Sequence, residues 1–300
     1  MDHRFDVQDF LTSRRGRVSP EDAGIVSFGA RRVPGLRRTE VAQLAGMSVE
    51  YYTRMERGNL AGVSEEVLSA LAAALRLDDS ERSHLFDLAR SAQTRRPRQP
   101  PRGTAQVQVR PSIQRLVDGL SETAAVFVRN GRLDVLASNA LLRALYVDAF
   151  DNPTRPVNLA RFAFLDPRAH LLHPNWSTSA DTTVAILRTE AGRNPYNKGL
   201  ADLVGELSTR SPEFGTRWAA HNVRLHRSGR KHFHHRAVGD LDLAFDTLDL
   251  PDQTGLTFTA YSADPDTPTA DNLALLASWA ATQPTRDAAA GTDTDRHPQT

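Results

Sequence analysis

The amino-acid sequence predicts an α+β protein in two parts: an all-α unit over residues 1–90, then a mixed helix-and-sheet domain over 110–262. Three observations predict it. Residues 39–58 carry two short helical patterns on either side of a glycine, and two more helical runs follow. Residues 123–137 and 231–261 hold β-prone runs, one of which, Asp240-Leu-Asp-Leu-Ala-Phe-Asp, alternates with period two as in a sheet with one buried face. Between the parts, residues 91–109 lack periodicity, are rich in Pro and Arg, and read as a linker.

Taken in order, the first element is a helix over 5–15 with Phe5, Val7, Phe10 and Leu11 as its apolar residues. Residues 16–35 contain Gly and Pro and end in Arg31-Arg32-Val33-Pro34-Gly35. Helix–helix connections usually take about two to eight residues, so this stretch reads as an arm touching a partner or as a passive insertion. Next, Val41, Leu44 and Ala45 fall at i, i+3, i+4, and Val49, Tyr52 and Met55 at i, i+3, i+6. Between them Gly46 allows the positive φ of a sharp turn, and Ser48 stands where it caps the second helix. Small, turn and apolar positions fall in register as a helix-turn-helix, whose second helix enters the major groove of DNA N-terminus first. Helices over 64–75 and 79–89 follow, with Asp78 and Glu81 at capping-box spacing.

The second part opens with a helix over 109–120. Runs at 123–128 and 132–137 are separated by Arg129-Asn130-Gly131, and Asn-Gly between such runs signals a hairpin. Helical stretches cover 139–146, 157–164, 177–189, 199–209 and 212–220. Strands are expected at 223–226, 231–235, 240–247 and 256–261. Strands, helices and strands in that order predict a sheet with helices packed on one face. The region 263–300 holds one more helix over 270–281 and a polar tail over 282–300 that reads as disordered.

Composition narrows the function. The chain has no cysteine, which excludes disulfides, thiol catalysis and Cys-type zinc fingers and fits a cytoplasmic setting. No apolar run is long enough to span a bilayer, and Met-Asp-His-Arg-Phe-Asp does not open a signal peptide. The net charge of +1 hides an asymmetry: residues 1–110 hold 18 Arg against 14 acidic residues, so basic charge gathers around the helix-turn-helix, as phosphate contact requires. No Gly-x-x-x-x-Gly-Lys-Ser/Thr, Gly-x-Ser-x-Gly, His-Glu-x-x-His or Gly-x-Gly-x-x-Gly motif occurs, so no enzyme activity is expected. His221, His226, His232, His234 and His235 invite a metal site, but Arg-Lys-His-Phe-His-His-Arg surrounds three of them with positive charge, and neither metal nor cofactor is expected.

Residues 33–90, with Glu56-Arg57-Gly58 closing the second helix, resemble the lambda-repressor/Cro-like domain of XRE-type regulators. Several segments further on, among them Arg132-Leu-Asp-Val-Leu-Ala-Ser-Asn, Phe164-Leu-Asp-Pro-Arg-Ala, His173-Pro-Asn-Trp and Leu203-Val-Gly-Glu-Leu-Ser-Thr-Arg-Ser-Pro-Glu-Phe, are similar to the MmyB-like ligand-binding domain. One departure is Ser138, where that family commonly has Trp. The resemblance implies a PAS-like fold and a lipophilic, fatty-acid-like ligand.

On the DNA side the candidate residues are Arg37 and Arg38, near amides that can meet a phosphate, and Ser48, Val49, Glu50, Tyr51 and Arg54 on the second helix. Val49 suits a thymine methyl, Glu50 a cytosine amino group, and Arg54 guanine or phosphate. For an apolar pocket between sheet and helices, the candidates are Phe127, Leu136, Phe162, Phe164, Trp176, Trp218 and Phe245. The expected whole is a dimeric transcriptional repressor that binds double-stranded operator DNA and senses a small lipophilic molecule. The rival reading is a DNA-anchored interaction module without a ligand.

Overall fold

The computed structural model describes residues 3–25, 35–93, 108–220, 228–250, 253 and 255–282. Residues 26–34 of the arm, most of the linker over 91–109, the strand expected at 223–226 and nearly all of the tail lie outside them.

The N-terminal unit is helical: α1 (His3–Arg17), α2 (Arg38–Leu44), α3 (Val49–Glu56), α4 (Glu65–Ala74) and α5 (Asp79–Gln93). The turn between α2 and α3 is as the sequence predicts. Gly46 has φ +65°, and Ser48 Oγ accepts a hydrogen bond from the Tyr51 amide at 3.1 Å, which fixes where α3 begins. Asp78 and Glu81 form their capping box, with the Glu81 amide donating to Asp78 at 2.8 Å and the Asp78 amide to Glu81 at 3.2 Å. Val7, Phe10, Leu11, Val41, Tyr52 and Met55 meet in one core. Two expected apolar positions fall outside it: Phe5 is 64% exposed and Leu44 41%. Both sit near helix ends, where helical spacing alone does not decide which side is covered.

The second domain runs α6 (Pro111–Gly119), β1 (Ala124–Asn130), β2 (Val135–Ser138), α7 (Ala140–Leu145), α8 (Val147–Phe150), α9 (Leu159–Leu165), α10 (Arg168–Leu172), α11 (Trp176–Arg193), α12 (Lys198–Arg210), α13 (Pro212–Ala219), β3 (Ser228–His235), β4 (Gly239–Asp249), β5 (Leu256–Ser262) and α14 (Pro268–Thr282). The strands form one antiparallel sheet in the order β2-β1-β5-β4-β3. The hairpin β1–β2 forms where Asn-Gly places it. Asn130 Oδ1 accepts from the Arg132 and Asp134 amides at 2.9 and 3.0 Å, the local side-chain bonding by which Asn stabilises turns.

The expectation of helices on one face needs correction. Six of the seven β1 residues are buried, because α6 covers the far face: Ile113 and Val117 pack with Val126, Val128 and Ala137. The other face carries the larger core, in which Phe127, Phe233, Phe245 and Tyr261 from the sheet meet Leu141, Leu145 and Phe162 from the helices. Leu273, Leu276 and Ala280 of α14 also enter this core.

Candidate functional site

The candidate DNA-reading face is built by α3. Its inner face is fixed by Tyr52 and Met55, both fully buried, so Glu50 and Arg54 point outward. Val49 and Tyr51 are half-buried, and the Arg54 guanidinium stacks on the Tyr51 ring at 4.9 Å. Val49, Glu50 and Arg54 share a shallow depression of about 470 Å³ with Arg4, Thr53, Arg57 and Asn59. The last four escaped the sequence reading. Arg4 joins from the first turn of a helix far away in sequence, which no local pattern shows. Arg57 and Asn59 follow the helix in the turn around Gly58.

Glu56 organises the base of this face. It is buried, accepts from Arg15 Nε at 2.6 Å and from Tyr52 Oη at 3.2 Å, and also holds Arg38 Nε. Burial raises its pKa, but the hydrogen bonds from Arg15 and Arg38 outweigh burial and leave it below the ordinary carboxylate range. Gly58 (φ +92°) brings the chain against α1, where a Cβ would stand 2.5 Å from the Arg4 carbonyl oxygen. Arg38 is thus tied into the fold through Glu56, while its side chain stays half exposed. Arg37 is exposed beside it at the start of α2, its amide donating to Glu40 at 2.6 Å.

In the second domain a cavity of about 50 Å³ lies between the sheet and the helices. Of the seven expected lining residues, Phe127 and Phe162 line it. Leu136 packs on the opposite face of the sheet with the α6 cluster. Phe164 and Trp218 pack around Phe214 in a second cluster, at 5.0 and 5.6 Å between ring centroids. Trp176 stacks on His170 at 4.2 Å, and its indole N–H donates to the Ala163 carbonyl at 2.8 Å. Phe245 is core, ring to ring with Tyr261. Aromatic content therefore marked core more often than cavity. The polar lining residues Arg129, Tyr146, His173, Lys231, Thr247 and Thr259 gave no signal in sequence, because they are spread over several strands and helices.

The histidines on β3 pair across the sheet, His232 with Asp242 at 3.3 Å and His234 with Asp240 at 2.6 Å. Among the described residues no group of three or more His, Cys, Asp and Glu is placed to hold a metal ion. Nor is any helix there long and apolar enough to cross a membrane.

One helix joins the two units. Ser179, Thr182, Thr183 and Ile186 of α11, at i, i+3, i+4 and i+7, line the cavity. On the opposite side of α11, Gly192 packs against His84, and its carbonyl accepts from the Ser91 hydroxyl at 2.9 Å. At its end Arg193 Nε donates to Asp87 at 3.0 Å. Buried Arg188 lies 3.9 Å from Asp6 of α1, lies 4.1 Å over the Trp218 ring and donates to the Trp218 carbonyl. Burial lowers its pKa to about 10, against the pull of Asp6, so it stays charged at neutral pH.

A helix-turn-helix with an outward-facing second helix, joined to a separate cavity-bearing domain, defines the class. Residues 9–85 match the family description "Helix-turn-helix domain". Residues 109–276, more than half of the chain, match "MmyB-like transcription regulator ligand binding domain". The chain belongs to that family: it is a DNA-binding transcription regulator with a ligand-binding domain. Comparison with curated protein sequences finds no match.

Proposed function

We propose that the protein is a sequence-specific repressor whose operator affinity responds to a small molecule in the cavity of the second domain. The observation that carries this reading is α11, which has the cavity on one side and α5 of the DNA-binding unit on the other. A ligand that displaces α11 changes the seat of α5. It shifts operator affinity by as much as it favours one seating over the other.

Glu50 and Arg54 read bases in this proposal, Ser48, Val49 and Tyr51 sit at the groove, and Arg37, Arg57 and Arg4 contact phosphates. Arg38 contributes from its exposed half. Two copies bind half-sites about 34–36 Å apart, one helical turn. The repressor sense asks nothing of the protein beyond operator occupancy. The family resemblance supports a lipophilic ligand.

The cavity volume favours a second reading. Pockets for drug-sized ligands measure about 300–1,000 Å³, far above about 50 Å³. Either the ligand is compact, or α11 moves to admit it, or the domain binds another protein and no ligand. Operator selection from random DNA, followed by anisotropy titration with and without added ligand, tests the main reading. A native mass spectrum of the purified protein separates it from the interaction module.

A further inference from the structure

The chain carries 37 lysines and arginines, and only Lys198 and Lys231 are lysines. The Lys198 side chain stands on the surface, 90% exposed. Lys231 lines the cavity between the sheet and α11. Its Nζ donates to Tyr146 Oη at 3.2 Å and lies over the rings of Tyr146, Phe233 and Tyr261 at 5.9, 5.3 and 6.0 Å. Burial, with no acidic neighbour among the described residues to oppose it, lowers its pKa from 10.5 to about 8. A cation packed over aromatic rings is a role that arginine fills at least as well, because its planar guanidinium stacks on such faces and keeps its proton. A lysine here, in a chain that uses arginine at nearly every other basic position, singles out what arginine lacks: an amine that deprotonates when buried. At pH 7 about a tenth of an amine with this pKa is neutral, against well under a thousandth for an ordinary lysine.

The rest of the lining supplies what such an amine needs to react. Tyr146 is also hydrogen-bonded to Tyr261, so two phenols run on from Nζ. His173 lines the same cavity, is 3% exposed, and has no hydrogen-bond partner for Nδ1 among the described residues. Burial and the nearby Lys231 push its pKa well below the ordinary histidine value, so it is neutral. The volume of about 50 Å³ holds a group of a few heavy atoms.

We propose that Lys231 is a covalent ligand site, at which its amine captures a small aldehyde as an imine. The neutral Nζ adds its lone pair to the carbonyl carbon, and the electrons of the C=O π bond go to the oxygen. A proton passes from the nitrogen to that oxygen by way of Tyr146 Oη, giving a carbinolamine. His173 Nδ1 takes the carbinolamine hydroxyl as its hydrogen-bond partner. The hydroxyl and the last N–H proton then leave together as one water, and C=N remains. Nothing is oxidised or reduced, and water reverses the capture. The inference rests on reading this cavity as the ligand site. It adds the chemical class of the ligand and the atom that holds it.

The test incubates the full-length protein at neutral pH with acetaldehyde, propanal, butanal or octanal and with cyanoborohydride, which reduces an imine to a stable secondary amine. Peptide mass mapping separates Lys231 from Lys198 and from the N-terminal amine, so the unmodified protein carries its own control and no variant has to fold. At least one aldehyde is expected to label Lys231 tenfold or more faster than Lys198, at a rate that saturates as its concentration rises. No label at Lys231, labelling of Lys198 at an equal or greater rate, or a rate at Lys231 that rises linearly without saturating would each overturn the proposal. Labelling of Lys231 that leaves operator affinity unchanged upholds the site and refutes the ligand-responsive regulator. An operator affinity that responds to another ligand while Lys231 stays unlabelled does the reverse.

Discussion

Arg193 of α11 donates to Asp87 of α5 at 3.0 Å, across the junction between the ligand-binding and DNA-binding units. One residue earlier, the Gly192 carbonyl accepts from Ser91 of the same α5 at 2.9 Å. Both contacts lie about two turns along α11 from Ile186 on the cavity wall. One helix therefore spans the distance between the cavity and the DNA-binding unit, and its contacts can be altered without touching either end.

Gly192→Val is expected to loosen that junction. A Cβ at Gly192 would stand 2.6 Å from the His84 ring, and His84 is itself buried between the units and edge-on to Phe10 at 5.0 Å. Overpacking of this kind costs about 1–3 kcal/mol. Urea unfolding should show a lower midpoint. Operator titration should show a weaker response to ligand with ligand binding retained. A variant as stable and as responsive as the parent would remove α11 from the coupling.

Glu56→Gln is expected to destabilise the N-terminal unit by about 3 kcal/mol, as removal of one partner from a buried ion pair does. Arg15 and Arg38 would both lose their carboxylate. The sign of the pH dependence follows from Glu56 being held below its ordinary pKa. Its contribution is present above the unfolded value, near pH 4.5, and is lost as pH falls through the folded value. The gap between parent and variant, measured by denaturation, should therefore be widest near neutrality and close in acid.

Much of the fold was legible in the sequence because its signals are local. Gly46 with Ser48, Asp78 with Glu81, and Asn130 with Gly131 each act within a few residues, and each is realised. The cavity was much less legible. Phe127 and Phe162 were found because they are aromatic, and Leu136, Phe164, Trp176, Trp218 and Phe245 were proposed for the same apolar character, although their neighbours are other core residues. In sequence Arg129 falls in the expected turn Arg129-Asn130-Gly131, although it belongs to β1, and Lys231 looks like an ordinary strand-surface charge. Only the antiparallel order β1-β5-β4-β3, set by long-range pairing, turns them to one cavity.

Arg54→Ala and Glu50→Ala are expected to cut binding to a selected operator, each by about 1–3 kcal/mol, with melting temperature nearly unchanged because both side chains are exposed. Arg57→Ala, if it contacts phosphate, should weaken all sequences alike and lower the salt slope by about one unit. Anisotropy titrations at several salt concentrations distinguish the two patterns. Unchanged discrimination in both α3 variants would show that α3 is not the base-reading element.

Lys231→Met is expected to stabilise the unliganded protein at neutral pH. Burial lowers the Lys231 pKa from 10.5 to about 8, so above pH 8 the unfolded chain binds a proton that the folded chain releases. Stability then rises with pH between about 8 and 10.5 in the parent. The full shift corresponds to at most about 3 kcal/mol. The other titratable groups around the ammonium are His173, held neutral well below this window, and Tyr146 and Tyr261, both pushed up by burial. The tyrosines ionise near pH 10 once unfolded, which limits the informative range to about pH 7.5–9.5. They are present in both proteins and cancel in the comparison. The variant's advantage should be greatest near pH 7.5 and shrink steadily toward pH 9.5. A parent with the same stability and pH dependence as the variant across this range would mean that the Lys231 ammonium is as well accommodated in the fold as in the unfolded chain.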